Sequence, residues 1–181
     1  MKLHLFLLIG LLSSFVGSAQ RYQMAKSEIS FYSDAPLEDI QAETTEVQSL
    51  FNASSGEVAF RVPIQSFQFE KALMQEHFNE NYLESDKYPN ATFEGQLKGF
   101  DLTQVGEQLV TASGKMTIHG VTQSVEVPGT IGSQGEGWEM QATFPIRVAD
   151  YKIKIPKVVF YNIAEVVDVT VHFTYRPHAQ P

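Results

Sequence analysis

The run Gln108-Leu109-Val110-Thr111-Ala112-Ser113-Gly114-Lys115-Met116-Thr117-Ile118 leads through His119-Gly120 into Val121-Thr122-Gln123-Ser124-Val125-Glu126-Val127. Val110, Ala112, Gly114, Met116 and Ile118 share one parity, while Thr111, Ser113, Lys115 and Thr117 share the other. A period of two places these sets on opposite faces of a half-buried strand. A second alternating run starts only two residues later, so the chain must reverse tightly at His119-Gly120. Glycine there supplies the positive φ that a two-residue hairpin loop needs. The stretch therefore reads as an antiparallel hairpin with one wet and one dry face.

The same period extends through the chain. Ile29 and Phe31 alternate in 28–32, and Val58, Phe60 and Val62 in 57–64. Phe93 and Leu97 fall on one face of 91–100. Val121, Val125, Val127 and Ile131 mark 121–131. Trp138, Met140, Ala142, Phe144, Ile146 and Val148 mark 138–148, and Val167, Val169, Val171, Phe173 and Tyr175 mark 165–175. Weaker strand signals lie at 37–45, 47–51 and 151–160. Eight to ten strands, each with one apolar face, predict an all-β protein closed as a sandwich or an antiparallel barrel.

One segment departs from this pattern. Between Phe67 and Leu83 the apolar spacing becomes four residues, Phe69 with Leu73 and Met74 with Phe78. This predicts one short helix of two to three turns inserted between strands. A tight bend at Asn79-Glu80-Asn81 follows, before Tyr82-Leu83. Such a helix is placed to plug or lid one end of a barrel.

The 181 residues are 43% hydrophobic and 12% aromatic, which suits one core rather than two. A formal net charge of −8 argues against nucleic acid, whose phosphates need clustered Lys and Arg. There is no Cys, which excludes disulfides, thiolate metal sites and cysteine nucleophiles. Lys2, the apolar Leu3–Leu12 stretch and the small residues Gly17-Ser18-Ala19 read as a signal peptide, cleaved after Ala19. The apolar stretch is too short for the roughly 20 residues of a membrane-spanning helix, and no second one follows. The expectation is thus a periplasmic or secreted protein: residues 1–19 a signal peptide, 20–176 a single barrel domain, and 177–181 a tail.

The sequence is poor in catalytic signals. It holds no phosphate loop, nucleophile elbow or paired-histidine zinc motif. His77 with Glu76, Glu80 and Asn81 could approach a metal, but zinc needs three or four converging ligands, and a helix-end histidine bonded to backbone is the simpler reading. Carboxylate pairs such as Glu38-Asp39 read as solvated loop, and the Asn52 and Asn90 sequons as plain turns. Arg147, Lys152, Lys154 and Lys157 stand near one another against Asp150 alone. This local positive patch can meet an anionic headgroup or protect a sheet edge from unwanted pairing. Aromatic residues are spread over most elements, as either an ordinary core or the lining of a slot. An eight-stranded barrel can be filled by side chains or hold one small ligand.

Three stretches resemble one family. The segment from His77 to Phe93, with Tyr88-Pro89 in it, is similar to the His…Tyr-Pro-x-x-x-Phe segment of YceI-like proteins. Gly114-Lys115-Met116-Thr117-Ile118-His119-Gly120-Val121-Thr122 resembles their Gly-x-Leu-Thr-Ile-His-Gly-Val-Thr hairpin. Gly56-Glu57-Val58-Ala59-Phe60 matches their early strand. The resemblance implies an eight-stranded lipocalin-like antiparallel barrel whose elongated apolar interior takes a polyisoprenoid or similar amphiphilic lipid, with no catalysis established for the fold; no cofactor is expected. Many members carry Arg-Asp shortly before the histidine. Here Met74-Gln75-Glu76 precedes His77, so any role of that arginine is not carried over.

The sequence reading is accordingly a non-enzymatic protein that sequesters or carries an amphiphilic lipid, such as a polyisoprenoid or isoprenoid quinone. Its expected ligand-binding residues are Phe31, Phe60, Phe69, Leu73, Phe78, Tyr82, Phe93, Leu97, Met116, Ile118, Phe144 and Phe160, with Arg147, Lys152 and Lys154 for the headgroup. A homodimer is left open. The competing reading is a protein-interaction module with a filled barrel core; an enzyme built on His77 ranks last.

Overall fold

The computed structural model describes residues 21–34, 39–155 and 164–177. The signal peptide and tail residues 178–181 lie outside these residues, as does Phe160, while Pro177, expected in the tail, is the last residue of a strand. The described strands are β1 (Arg21–Ser33), β2 (Ile40–Thr44), β3 (Gln48–Asn52), β4 (Glu57–Pro63), β5 (Gln68–Phe69), β6 (Asn90–Lys98), β7 (Glu107–Ile118), β8 (Val121–Gln134), β9 (Gly137–Arg147) and β10 (Val166–Pro177). One short helix, α1 (Ala72–His77), runs into a wide turn over Phe78–Tyr82.

Every pairing is antiparallel. β10, β9, β8, β7, β6, β4, β3 and β1 follow one another, and β1 pairs back onto β10 from Tyr22↔Pro177 to Tyr32↔Asp168, closing an eight-stranded barrel. The long β1 serves two partners on its other edge. Arg21–Gln23 pair with β3, while Ile29–Ser33 pair with β2, which carries β5 beyond it. The barrel thus closes fully at one end and is completed at the other by β2, β5 and α1.

The His119-Gly120 reversal takes the expected form, with both residues in left-handed backbone at φ 51 and 71. Opposite Gly95 in β6 stands Gly114 in β7. A Cβ on Gly95 would lie 2.7 Å from the Phe93 ring and 2.5 Å from the Ser113 carbonyl. Glycine at this point lets two strands approach while an aromatic ring lies over the backbone.

The closed end is filled by rings. Trp138 meets Tyr22, Phe51 and Phe100 edge-on at centroid distances of 6.4, 6.4 and 5.2 Å, and Phe51 meets Tyr175 at 5.5 Å. Edge-to-face pairs contribute about 0.5–1.5 kcal/mol each beyond the area they bury. Tyr175 is fully buried and its hydroxyl is 2.6 Å from Ser49 Oγ. A smaller cluster of Ile64, Leu83, Tyr151 and Ile153 packs at the opposite end.

Three expectations are corrected. Phe69 and Leu73 do not share a helix: Phe69 is in β5, and α1 begins at Ala72 with Leu73 61% exposed. The four-residue spacing straddles a strand-to-helix junction. The bend expected at Asn79-Glu80-Asn81 is instead a widened helical turn, closed by the Leu83 N–H donating to the Phe78 carbonyl at 2.9 Å. Asn79 Nδ2 donates to the Gln75 carbonyl at 2.9 Å, prolonging the helix from the side chain. The strand expected from Tyr151 does not begin there. Val148–Tyr151 is a tight helical turn, Lys152 is left-handed at φ 57, and residues 153–155 are irregular. The rest of that segment lies outside the described residues.

Candidate functional site

Inward parity alone leaves a space within the wall. Above the aromatic plug, the barrel encloses a cavity of about 510 Å³, within the ~300–1,000 Å³ typical of small-molecule sites. Its floor includes Phe60, Phe93 and Phe173. Phe60 stacks on Phe173 with centroids 4.7 Å apart and leans on Phe93 at 6.0 Å. Val58, Val110, Val127 and Met140 add aliphatic wall, and Val169 and Val171 continue it along β10.

The far end is built around Phe78. Its ring packs on Phe31 at 5.5 Å, Phe67 at 5.7 Å and Phe69 at 5.0 Å. A six-residue helix is marginal on its own; these contacts hold α1 against β1 and β5. The widened turn then brings Phe78, Tyr82 and Leu83 onto the cavity side. Burial lifts the Tyr82 phenol above its ordinary pKa, so it stays neutral, a hydrogen-bonding group with no charge. Lys71 and His77, at the two ends of α1, also border the cavity, as does Ser33 at the end of β1. Lys71, His77, Tyr82 and Ser33 therefore gather where the chain covers the barrel, and the wall behind them is mostly apolar.

The structure brings Phe31, Phe60, Phe69, Leu73, Phe78, Tyr82, Phe93, Leu97, Met116, Ile118 and Phe144 to this one cavity. Arg147, Lys152 and Lys154 are all exposed, and it is their neighbours Ile146, Val148, Ile153 and Ile155 that border the cavity. The basic side chains found at the cavity are Lys71 and His77. The sequence signal at these two positions is helical spacing, not charge, so it does not point to them. The aliphatic lining follows the same strand parity as the aromatic residues.

Above the cavity, His119 ties three segments. Its Nε2 lies 2.7 Å from Glu84 Oε2, its Nδ1 lies 3.1 Å from the Tyr151 carbonyl, and its ring meets Tyr88 edge-on at 4.6 Å. The motif histidine is a structural clasp between the hairpin, the turn after α1 and the 148–151 turn. Among the described residues, no group of three or more His, Asp or Glu converges as a metal site would require. None of their helices is long and apolar enough to cross a membrane.

The chain resembles several solved structures in fold. A polyisoprenoid binding domain from Saccharophagus degradans, implicated in plant cell wall breakdown, aligns with a TM-score of 0.74 at 17% identity, over 87% of this chain and 98% of that one. Burkholderia cenocepacia BcnA aligns with a TM-score of 0.69 at 19% identity, over 82% and 95%. The Campylobacter jejuni YCEI protein gives 0.60 at 15% identity, over 80% and 88%. Comparison with curated proteins gave no match. The YceI-like domain profile matches residues 21–175, which is nearly all of the described barrel. The chain belongs to the YceI-like domain family.

Proposed function

We propose that this protein binds and carries an amphiphilic lipid of isoprenoid type, with the hydrocarbon in the barrel and the polar end beside Lys71, His77 and Tyr82. The observation that carries this reading is the cavity itself: about 510 Å³, lined mostly by apolar side chains, with Lys71, His77 and Tyr82 grouped beside α1. Each methylene moved from water into such a wall contributes about 0.8 kcal/mol, so tight binding needs no reactive group. The fold shared with a polyisoprenoid binding domain supports the isoprenoid class. The role is binding rather than catalysis. Export by residues 1–19 would place it in the periplasm or outside the cell, where a lipid crossing water needs a carrier. A filled-core interaction module is disfavoured by the size of the cavity.

Native mass spectrometry of protein purified from its own host, followed by organic extraction, tests this. The expected result is a bound amphiphile whose mass shift disappears on extraction; the same spectrum gives the subunit count. Protein that carries no amphiphile and takes up no dansyl-farnesol in vitro would overturn the reading.

A further inference from the structure

The ladder between the two long strands β8 and β9 is incomplete. β8 and β9 pair only over Thr130–Gln134 and Gln141–Gly137, whereas β8 pairs with β7 along Val121–Gly132 and β9 with β10 along Trp138–Arg147. The facing edges of residues 121–129 and 142–147 have no register partners on each other.

The chain explains why. Pro128 lies in β8 and Pro145 in β9, both inside runs that otherwise read as central strands. A proline has no N–H to donate and is tolerated in sheets at edges. Continuing the register from Thr130↔Gln141 would set Pro128 opposite Thr143 and Pro145 opposite Glu126. A closed ladder here would contain both. The strands part just past Gly129, where a Cβ would stand 2.5 Å from the Gln141 carbonyl and 3.0 Å from Ala142 Cβ. At the other end, Gln123 Nε2 donates to the Asp150 carbonyl at 2.8 Å, and Val121, Ile146 and Val148 pack against the Ile64, Leu83, Tyr151 and Ile153 cluster. Between these limits runs a seam of about five residues, or roughly 16 Å at strand rise. The cavity lies directly behind it: Val127, Gly129, Thr130, Gln141, Phe144 and Ile146 all border both.

We propose that the β8–β9 seam is a lateral portal, through which an apolar chain enters and leaves the barrel sideways. This rests on the carrier reading above. At the α1 end of the cavity the Phe31, Phe67, Phe69 and Phe78 rings cluster, and the Trp138 rings fill the closed end. The seam has neither a hydrogen-bonded ladder nor a ring cluster to break. Parting it further costs only the Gln123–Asp150 bond and local apolar contacts.

The absence of native Cys makes the test direct. In the double variant Glu126→Cys/Pro145→Cys, a disulfide would staple the seam from outside and leave the lining untouched. Stopped-flow uptake and release of dansyl-farnesol are compared in oxidised and reduced protein. Both should slow by roughly tenfold or more on oxidation, recover with reductant, and leave the equilibrium affinity nearly unchanged. If thiol titration shows that the pair does not close, the single variant Glu126→Cys carrying a maleimide–polyethylene glycol blocks the same opening, with the same expected slowing. Equal rates in the blocked and open forms would overturn the portal while leaving the carrier reading intact. Failure of the wild-type protein to take up the probe at all would instead overturn the carrier reading and the portal with it.

Discussion

His119 and Glu84 each hold left-handed backbone, at φ 51 and φ 42, and close on one another through a 2.7 Å contact between imidazole Nε2 and carboxylate. Neither residue is glycine, so each position carries a conformational cost of order 1–3 kcal/mol that surrounding contacts must offset. The imidazole also reaches the Tyr151 carbonyl. His119→Asn separates the two roles, because asparagine tolerates the left-handed turn but cannot span both partners. It should destabilise the fold by about 1–2 kcal/mol, as read by the urea midpoint of Trp138 fluorescence. Glu84→Gln should cost less, since the carboxylate side is half exposed and exposed pairs contribute about 0–1 kcal/mol. A cost for Glu84→Gln equal to that of His119→Asn would show that the ion pair, not the clasp, does the holding.

Gly95 and Gly114 let β6 and β7 approach beneath the Phe93 ring. Gly95→Ala places a methyl group 2.5 Å from the Ser113 carbonyl and 2.9 Å from Gly114 Cα, and both neighbours are backbone. Overpacking of this kind typically costs about 1–3 kcal/mol. The expected outcome is a lowered thermal midpoint together with weaker probe binding, because Phe93 is part of the cavity floor. An unchanged midpoint would mean that the strands separate there without penalty.

The strands, the hairpin and the closure of the barrel were legible because alternation is a local signal and one buried face enforces it. What alternation could not show was how inward residues share volume. Phe93 and Trp138 have the same parity, yet one lines a cavity and the other helps to seal an end. That distinction depends on which rings meet across the barrel. The Phe69–Leu73 spacing misled because two elements join between them. The seam did have a sequence signal in Pro128 and Pro145, each conflicting with its strand-like surroundings. Reading it required knowing that the two edges face each other. The Arg147, Lys152 and Lys154 patch was visible as composition, but strand parity and the 148–151 turn decide which way such side chains point.

Filling the cavity should abolish binding without unfolding the protein. Ala112 borders the cavity from β7, opposite Leu97 in the β6 register. Ala112→Phe puts a ring into existing space, so its stability penalty should stay within about 1–3 kcal/mol. Dansyl-farnesol affinity should fall by roughly tenfold or more, the equivalent of about 1.4 kcal/mol. Circular dichroism confirms the fold in parallel. Full affinity in a folded Ala112→Phe protein would place the ligand elsewhere.

Alkaline pH should unfold the barrel through Tyr175. Burial in the ring plug raises its phenol well above the ordinary value of 10.0, and the Ser49 hydrogen bond offsets only part of that rise. A folded pKa above the unfolded one means that the unfolded chain loses the proton first as pH increases. The contribution is therefore fully present below about pH 10 and is lost as pH climbs beyond it. Urea midpoints should be flat with respect to this group near neutrality and decline above pH 10. Tyr175→Phe should lessen that decline, at a constant cost for the lost Ser49 bond. An identical alkaline slope in the variant would assign the transition to other groups.

The headgroup end can be assigned by charge. Lys71 and His77 border the cavity, whereas Arg147, Lys152 and Lys154 are exposed beside residues that do. If the polar end of the ligand sits by α1, Lys71→Ala should weaken binding of an anionic probe such as farnesyl phosphate. It should leave neutral dansyl-farnesol nearly unaffected, because only the phosphate gains from a nearby ammonium. A charge-assisted contact at a partly wet site is worth about 1.5–3 kcal/mol at most, so the expected loss is roughly tenfold. The triple variant Arg147→Ala/Lys152→Ala/Lys154→Ala should act differently. It changes the long-range field and so lowers the association rate at low salt, with the effect disappearing as salt is raised. A salt-independent loss of affinity in the triple variant, with none in Lys71→Ala, would move the headgroup to the other side of the barrel.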